Sequence, residues 1–152
     1  MTIAIAADHG GFELKGILID YLAGKGHSII NLGTDSPESV DYPDYAKACC
    51  DEVLSKRADF GILVCGTGVG ISIAANKIDG IRCGLCPSKE IAALVKQHNN
   101  ANVIALGGRF TSPEDAKDIV DRMKKHVIEL SKGKVVRDER NAGYSGESGG
   151  NV

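Results

Sequence analysis

Aromatic side chains and long apolar stretches are scarce in this sequence. Only 5% of its 152 residues are aromatic, and none of these is Trp. No uninterrupted apolar run approaches the roughly 18 residues that a membrane-spanning helix requires. The formal net charge is only −2, whereas nucleic-acid-binding domains usually carry a basic face, with aromatic stacking platforms for single strands. We therefore expect neither a membrane protein nor a nucleic-acid partner.

The sequence also has little that indicates secretion. Residues 3–7 have the character of a buried strand, not that of a charged and then apolar leader. The five cysteines are an odd number, which favours free thiols over a disulfide framework. The lone Cys83-x-x-Cys86 pair falls in a predicted strand, where positions i and i+3 face opposite sides, and we expect it to be structural. These features predict a cytoplasmic protein.

What the sequence does contain is a regular alternation of short apolar runs with stretches of helical period. The runs are nearly continuous in apolar residues, as is typical of parallel strands covered on both faces. Between them, stripes such as Leu14, Leu18 and Leu22 predict helices, and Ser112-Pro113 is a typical helix start. The pattern predicts an α/β fold: one three-layer α/β/α Rossmann-like domain with a five-stranded parallel sheet. The apolar runs lie at 3–7, 28–32, 60–64, 81–85 and 103–106.

This domain is expected to span residues 1–140, and the glycine- and serine-rich residues 141–152 are expected to form a flexible C-terminal tail. In open parallel sheets, ligands bind beyond the carboxyl ends of the strands, so the segments after each predicted strand are where a site is expected. Several of the 19 glycines stand there. The segments begin at Asp8, Gly33, Cys65, Cys86 and Gly107.

The third segment, Cys65-Gly66-Thr67-Gly68-Val69-Gly70, carries the strongest chemical pattern. Alternate glycines let the backbone turn tightly and aim N–H groups at one point, and a following helix adds the positive end of its dipole. The segment is neither a Walker A motif nor a G-x-G-x-x-G motif. It predicts a loop that stabilises a phosphate or a developing oxyanion, with a purely structural turn as the alternative.

Three side chains near these segments are candidates for acid–base chemistry. Cys65 opens the glycine loop at the start of a helix, where a thiolate is favoured; the alternative is a small buried apolar side chain. His9 follows Asp8 at the edge of the sheet where ligands are expected. His98 precedes the fifth strand, where it is either an acid–base group or part of a helix end.

Four segments resemble the ribose-5-phosphate isomerase B family, which is related to isomerases of galactose 6-phosphate and allose 6-phosphate. They follow the family's order and spacing from Met1 to about Arg109. The resemblance implies a metal-free aldose–ketose isomerase, without a cofactor, that interconverts D-ribose 5-phosphate and D-ribulose 5-phosphate through an enediolate. The segments are Ala6-Ala7-Asp8-His9-Gly10-Gly11-Phe12-Glu13-Leu14-Lys15, Asp41-Tyr42-Pro43-Asp44-Tyr45, Cys65-Gly66-Thr67-Gly68-Val69-Gly70-Ile71-Ser72-Ile73-Ala74-Ala75-Asn76-Lys77 and Gln97-His98-Asn99-Asn100-Ala101-Asn102-Val103.

The resemblance also implies roles for individual residues. Cys65 matches the family's base, which moves a proton between C1 and C2 of the sugar. His98 matches the residue that opens the furanose ring, assisted by Thr67 and Asp8. The N–H groups of Gly66, Gly68, Val69 and Gly70 match the hole that holds the enediolate oxygen. Tyr42 and Asn99 match contacts to substrate hydroxyls, and His9 and Arg109 match contacts to the phosphate.

Family members are dimers with shared active sites. The resemblance therefore implies a homodimer, with a tetramer as a further option, in which His98, Asn99 and Arg109 serve the partner's Cys65. The C-terminal segment departs from the family pattern of two phosphate-binding arginines. Alignment without gaps gives the first position to Lys132. Alignment by likeness gives it to Arg137 and the second position to Asn141, with Arg140 beside it, so Arg137 and Arg140 are the favoured candidates. The alternatives are a hexose-6-phosphate isomerase and a sugar-phosphate-binding module without turnover.

Overall fold

The computed structural model describes residues 1–131, in which five strands alternate with five helices. This confirms the predicted βαβ alternation. The predicted domain limit at residue 140 and the tail from 141 to 152 lie outside the described residues. In chain order the elements are β1 (Thr2–Ala7), α1 (Phe12–Gly24), β2 (Ser28–Asn31), α2 (Tyr42–Leu54), β3 (Phe60–Cys65), α3 (Val69–Asn76), β4 (Cys83–Leu85), α4 (Lys89–Asn99), β5 (Val103–Gly107) and α5 (Pro113–Ser131).

All five strands are parallel and form one sheet in the order β2-β1-β3-β5-β4. The predicted Rossmann-like fold with a five-stranded parallel sheet is therefore confirmed. From β1 the chain moves outward to β2 and then crosses to the other side of β1 to form β3. A crevice opens beyond the carboxyl ends of the strands at such a change of direction, which here lies between β1 and β3.

Two cores, one on each face of the sheet, give the domain its three layers. In β1, Ile3 and Ile5 face the core shared with α1, α4 and α5, whereas Ala4 and Ala6 face the core shared with α2 and α3. Continuous burial holds for β1, β3 and β5. It does not hold for β2 and β4, which are partly exposed because each lies at an edge of the sheet.

The five cysteines are free, in line with the odd count. Cys83 packs beside the core under α2 and α3, and Cys86 lies in the opposite core, so the pair points to opposite faces of the sheet as expected. Burial raises the pKa of Cys50 to about 11 and that of Cys86 to about 12. These thiols are protonated at neutral pH.

The last helix begins as its sequence predicts. Ser112 Oγ accepts a hydrogen bond from the Asp115 N–H at 3.1 Å, and Pro113 is the first helical residue. Its apolar stripe places Ile119 and Met123, both fully buried, against the sheet. Within residues 1–131, none of the helices combines the length and the apolar character that crossing a bilayer requires.

Candidate active site

The register of the central strands aligns three loops at one edge of the sheet. Ala7 is level with Val64, and Cys65 is level with Gly107. The residues that follow β1, β3 and β5 therefore emerge side by side. This is the edge at which the sequence predicts a site, and the strand order brings the loop after β5 next to the loop after β3.

Glycines allow these three loops to pack backbone against backbone. A methyl group added at Gly10 would lie 2.9 Å from the Gly66 nitrogen, and one added at Gly108 would lie 2.5 Å from the Gly10 oxygen. A methyl group at Gly107 would lie 2.7 Å from the Thr67 oxygen. No side chain fits between the loops at these points, so the glycines are required for the close approach.

Cys65 lies at the base of the glycine loop, with only 5% of its surface exposed. Its Sγ accepts a hydrogen bond from the Gly68 N–H at 3.2 Å. Gly68 has φ +82, a left-handed conformation that turns the chain into α3. Gly70 and Ile71 lie in the first turn of α3, where N–H groups have no partner within the helix. The sulfur is thus held beside a set of backbone donors, as the motif predicts.

Asp8 and His9 lie in the loop after β1. Asp8 is only 7% exposed, and its Oδ1 accepts a hydrogen bond from the Gly10 N–H at 2.8 Å. His9 Nδ1 accepts a hydrogen bond from the Val40 N–H at 3.2 Å. An imidazole nitrogen that accepts carries no proton, so His9 holds its proton on Nε2. The Nε2–H is the group that His9 can offer to a ligand.

Arg109 lies at the glycine loop of its own chain. A methyl group added at Gly66 would lie 2.8 Å from Arg109 Nη1, and the Arg109 N–H donates to the Gly66 oxygen at 3.0 Å. The expectation that Arg109 serves the partner's Cys65 is therefore wrong. The reason is that β5 is inserted directly beside β3, which brings the two loops together within one chain.

Tyr42 and Thr67 complete the residues gathered at this edge. Tyr42 is the first residue of α2, and its ring lies 2.9 Å from where a methyl group on Gly70 would be. Thr67 is exposed, and its Oγ1 accepts a hydrogen bond from the Val69 N–H at 3.1 Å. Both side chains therefore border the same loop that holds Cys65.

His98 and Asn99 lie elsewhere. They occupy the last turn of α4. The guanidinium of Arg82, the residue directly before β4, donates a hydrogen bond to the Asn99 backbone oxygen. Gly61, near the start of β3, donates to the oxygen of Asn102. This end of the sheet is roughly 13 Å from Cys65, four residues along β3. One chain therefore does not bring His98 and Asn99 to its own Cys65, and Arg137 and Arg140 lie outside the described residues.

Sequence reasoning missed a buried lysine next to the site. Lys15 of α1 is only 2% exposed, and its Nζ donates to Asn31 Oδ1 at 2.9 Å and to Asp35 Oδ1 at 3.1 Å. The hydrogen bonds from Lys15 and then from Asn31 lower the pKa of Asp35. The signal in the sequence is that Lys15 occupies the buried stripe of α1, in line with Leu18 and Leu22.

The groups at this edge suit an anionic ligand. Arg109, the Nε2–H of His9 and the first N–H groups of α3 all offer hydrogen-bond donors. In the part of the chain that the structure describes, no three His, Cys, Asp or Glu side chains are grouped so that they could hold a metal ion. The arrangement can bind an oxyanion and place a sulfur beside it.

Comparisons with known proteins identify relatives of this chain. Residues 3–137 match a family model described as ribose/galactose isomerase. Ribose-5-phosphate isomerase B of Escherichia coli is 49% identical over 119 residues, which cover 78% of this chain and 80% of that protein. The similarity therefore extends over most of both chains and is not confined to one motif.

Solved structures give the same result. A ribose 5-phosphate isomerase of Thermotoga maritima has a TM-score of 0.80 and 49% identity, covering 86% of this chain and 95% of that one. Ribose-5-phosphate isomerase B of Mycoplasma genitalium, solved with bound ribulose-5-phosphate, has a TM-score of 0.77 and 38% identity. The match covers 88% of this chain and 93% of that one. With the fold, the glycine loop and these matches in agreement, the chain belongs to the ribose-5-phosphate isomerase B family.

Proposed function

We propose that this chain interconverts D-ribose 5-phosphate and D-ribulose 5-phosphate by proton transfer through an enediolate. The observation that carries the proposal is the position of Cys65 Sγ, which lies beside the backbone donors of the glycine loop. A base and an oxyanion hole next to each other are what an aldose–ketose isomerisation needs. Family membership supports the same substrate class.

The phosphate is bound by the donors that surround the loops after β1 and β5. Arg109 offers a planar guanidinium, which matches phosphate oxygens in pairs, and His9 offers its Nε2–H. We assign further phosphate contacts to Arg137 and Arg140 by their likeness to the family pattern. In this arrangement the phosphate anchors one end of the sugar, while C1 and C2 lie near Cys65.

Ring opening comes first, because the furanose has no free carbonyl. His98 moves the proton between the ring oxygen and the anomeric hydroxyl, and Asp8 and Thr67 assist at the sugar oxygens. The buried carboxyl of Asp8 is already oriented by the Gly10 N–H, so it needs little rearrangement to accept or donate a proton. Tyr42 and Asn99 contact the sugar hydroxyls.

Isomerisation then follows at Cys65. The thiolate takes the proton from C2, and the electron pair of the C–H bond moves to form an enediolate with its negative charge on O1. The N–H groups of Gly66, Gly68, Val69 and Gly70 stabilise this oxygen. The thiol returns the proton to C1, O2 gives up its proton to the surrounding acid–base groups, and these groups deliver a proton to O1. A ketone at C2 and a hydroxyl at C1 result.

We further propose that two chains share each active site. His98 and Asn99 lie at the opposite edge of the sheet from Cys65, so a second copy is the simplest source of these residues. A symmetric dimer supplies each site with Cys65, Asp8 and Arg109 from one subunit and with His98 and Asn99 of the partner subunit.

The substrate assignment predicts the outcome of a direct comparison. Purified protein in excess EDTA should convert ribose 5-phosphate to the ketose, with a kcat/KM at least about tenfold higher than for galactose 6-phosphate or allose 6-phosphate. The physical reason is that a sixth carbon lengthens the distance between phosphate and C1. The measurement is ketose formation under initial-rate conditions for each sugar.

Each other outcome selects a different function. A higher kcat/KM on a hexose 6-phosphate would make the chain a hexose-phosphate isomerase, an activity that the family description includes for galactose. Calorimetric binding of ribose 5-phosphate without any ketose formation would make it a binding module. Activity that EDTA abolishes and a divalent metal restores would contradict the metal-free mechanism.

Shared sites predict complementation between two inactive variants. Cys65→Ala and His98→Ala should each be nearly inactive, but refolding them together should restore about one quarter of the wild-type activity. Half of the dimers are then hybrids, and each hybrid has one intact site. The control is the same mixture without refolding, which should stay inactive. Sites built within one chain would leave the refolded mixture inactive as well.

A further inference from the structure

Lys15 is among the largest fully buried side chains and has a charge that the mechanism above does not use. Lysine is almost never fully buried unless it is paired, because removing an ammonium group from water is costly. An apolar side chain would fill the same space on α1 without this cost. The presence of a lysine therefore needs a reason beyond packing.

The partners of Lys15 form a closed set of hydrogen bonds at the start of the β2–α2 loop, residues 32–41. Lys15 Nζ donates to Asn31 and to Asp35, and Asn31 Nδ2 donates to the same Asp35 oxygen at 3.1 Å. Asn31 Oδ1 also accepts from the Gly33 N–H at 3.0 Å. The ammonium group thus binds side chains at both ends of the tight turn from Asn31 to Asp35.

This turn is continuous with the active-site edge. The Thr34 N–H donates to the Ala7 oxygen, and the Ala7 N–H donates to the Gly33 oxygen, both at 2.7 Å. Ala7 is the residue directly before Asp8. The loop therefore leaves the sheet alongside the segment that carries Asp8 and His9.

The other end of the loop reaches the ligand-binding side chains. Five residues after Asp35, the Val40 N–H donates to His9 Nδ1, and two residues later Tyr42 places its ring against Gly70. The position of Val40 decides which nitrogen of His9 carries the proton. If the loop were released at Asp35, the Val40 N–H would no longer be fixed against His9 Nδ1, and the His9 ring would be free to rotate.

We propose that Lys15 is a positioning residue: through Asp35 and the β2–α2 loop it holds the Val40 N–H against His9, so that His9 presents Nε2–H to the anionic end of the substrate. The role of His9 as a phosphate ligand rests on the proposed function. The positioning of the imidazole does not, and it can be measured without any substrate.

The most direct test removes the exposed carboxylate of Asp35, which accepts the hydrogen bond from Lys15. Asp35 is 72% exposed in its side chain, so Asp35→Ala leaves the core intact. We expect KM for ribose 5-phosphate to rise about tenfold with kcat changed much less, because Cys65 belongs to a different loop. Asp35→Asn keeps the accepting oxygen and should restore most of the loss. Lys15→Met, which has similar length without the charge, should raise KM at least as much.

The matched control is Asp59→Ala. Asp59 is also an exposed aspartate, and its Oδ2 accepts from the Thr2 N–H at 2.8 Å, at the opposite edge of the sheet. Its loss should leave KM unchanged. The imidazole is followed by long-range ¹H–¹⁵N NMR, in which the two ring nitrogens of wild-type His9 should show a single Nε2–H tautomer and those of Asp35→Ala an average of both.

The outcomes separate the two proposals. An unchanged KM and an unchanged His9 tautomer in Asp35→Ala and in folded Lys15→Met would overturn the positioning role. A wild-type protein that does not isomerise ribose 5-phosphate but whose His9 tautomer still depends on Asp35 would overturn the proposed substrate and support the positioning.

Discussion

Replacing Cys65 by alanine is expected to lower kcat for ribose 5-phosphate at least about a thousandfold while the protein remains folded. General base catalysis contributes roughly 10²–10⁴-fold, and the Gly68 N–H holds the Cys65 sulfur beside the backbone donors of the loop. The alanine occupies less volume but keeps the strand and the glycine loop. The measurement is initial-rate ketose formation, accompanied by the melting temperature of the variant.

The matched control is Cys50→Ala, which removes another buried thiol, from α2, without touching the site. Its kcat should equal that of the wild type. Iodoacetamide should inactivate the wild type in step with modification of Cys65, because burial raises the pKa of Cys50 and Cys86 and keeps those thiols protonated. A Cys65→Ala variant with wild-type kcat would remove the thiol from the mechanism.

Gly68→Ala is expected to damage both stability and catalysis. The left-handed φ of +82 costs a non-glycine residue roughly 1–2 kcal/mol. The new methyl group would also lie 2.7 Å from Leu85 Cδ1 and 2.9 Å from the Leu106 carbonyl carbon. We expect the free energy of unfolding, measured in urea, to fall by at least about 2 kcal/mol. We also expect kcat to be at least about 100-fold lower, because the N–H groups of the loop no longer point at the enediolate oxygen.

Gly16→Ala provides the comparison for this variant. Gly16 lies on the exposed side of α1, and an added methyl group would meet nothing within 4 Å. Alanine there should stabilise the protein by roughly 0.5–1 kcal/mol and leave kcat unchanged. If Gly68→Ala kept full activity, the oxyanion hole would have to lie outside this loop.

Local patterns were sufficient to predict most of the fold. Continuous apolar runs identified the central strands, and the stripe through Leu14, Leu18 and Leu22 identified α1, because burial on a sheet imposes these periods directly. The strand order was beyond such patterns. It depends on how β5 enters between β3 and β4, which is a matter of contacts between distant segments.

The site residues likewise include some that local sequence predicts and some that depend on contacts between distant segments. The glycine loop, Asp8 and His9 were predicted at the correct edge because each directly follows a strand. The assignment of Arg109 to the partner was wrong, because only the strand order reveals that its loop touches Gly66. The contacts of Lys15 and Val40 were missed for a related reason: both depend on a loop whose path local sequence does not encode.

The close glycine contacts have a consequence for how the chain acquires its site during synthesis. Gly10, Gly66 and Gly108 meet at one point, although about three quarters of the described chain separates the first from the last. Within residues 1–131, β4 pairs with β5 and with no other strand, so it has no place in the sheet until β5 has left the ribosome. Asp8, Tyr42 and Cys65 are all synthesised earlier. The edge of the sheet at which they gather is completed only when β5, the last strand of the described residues, has emerged.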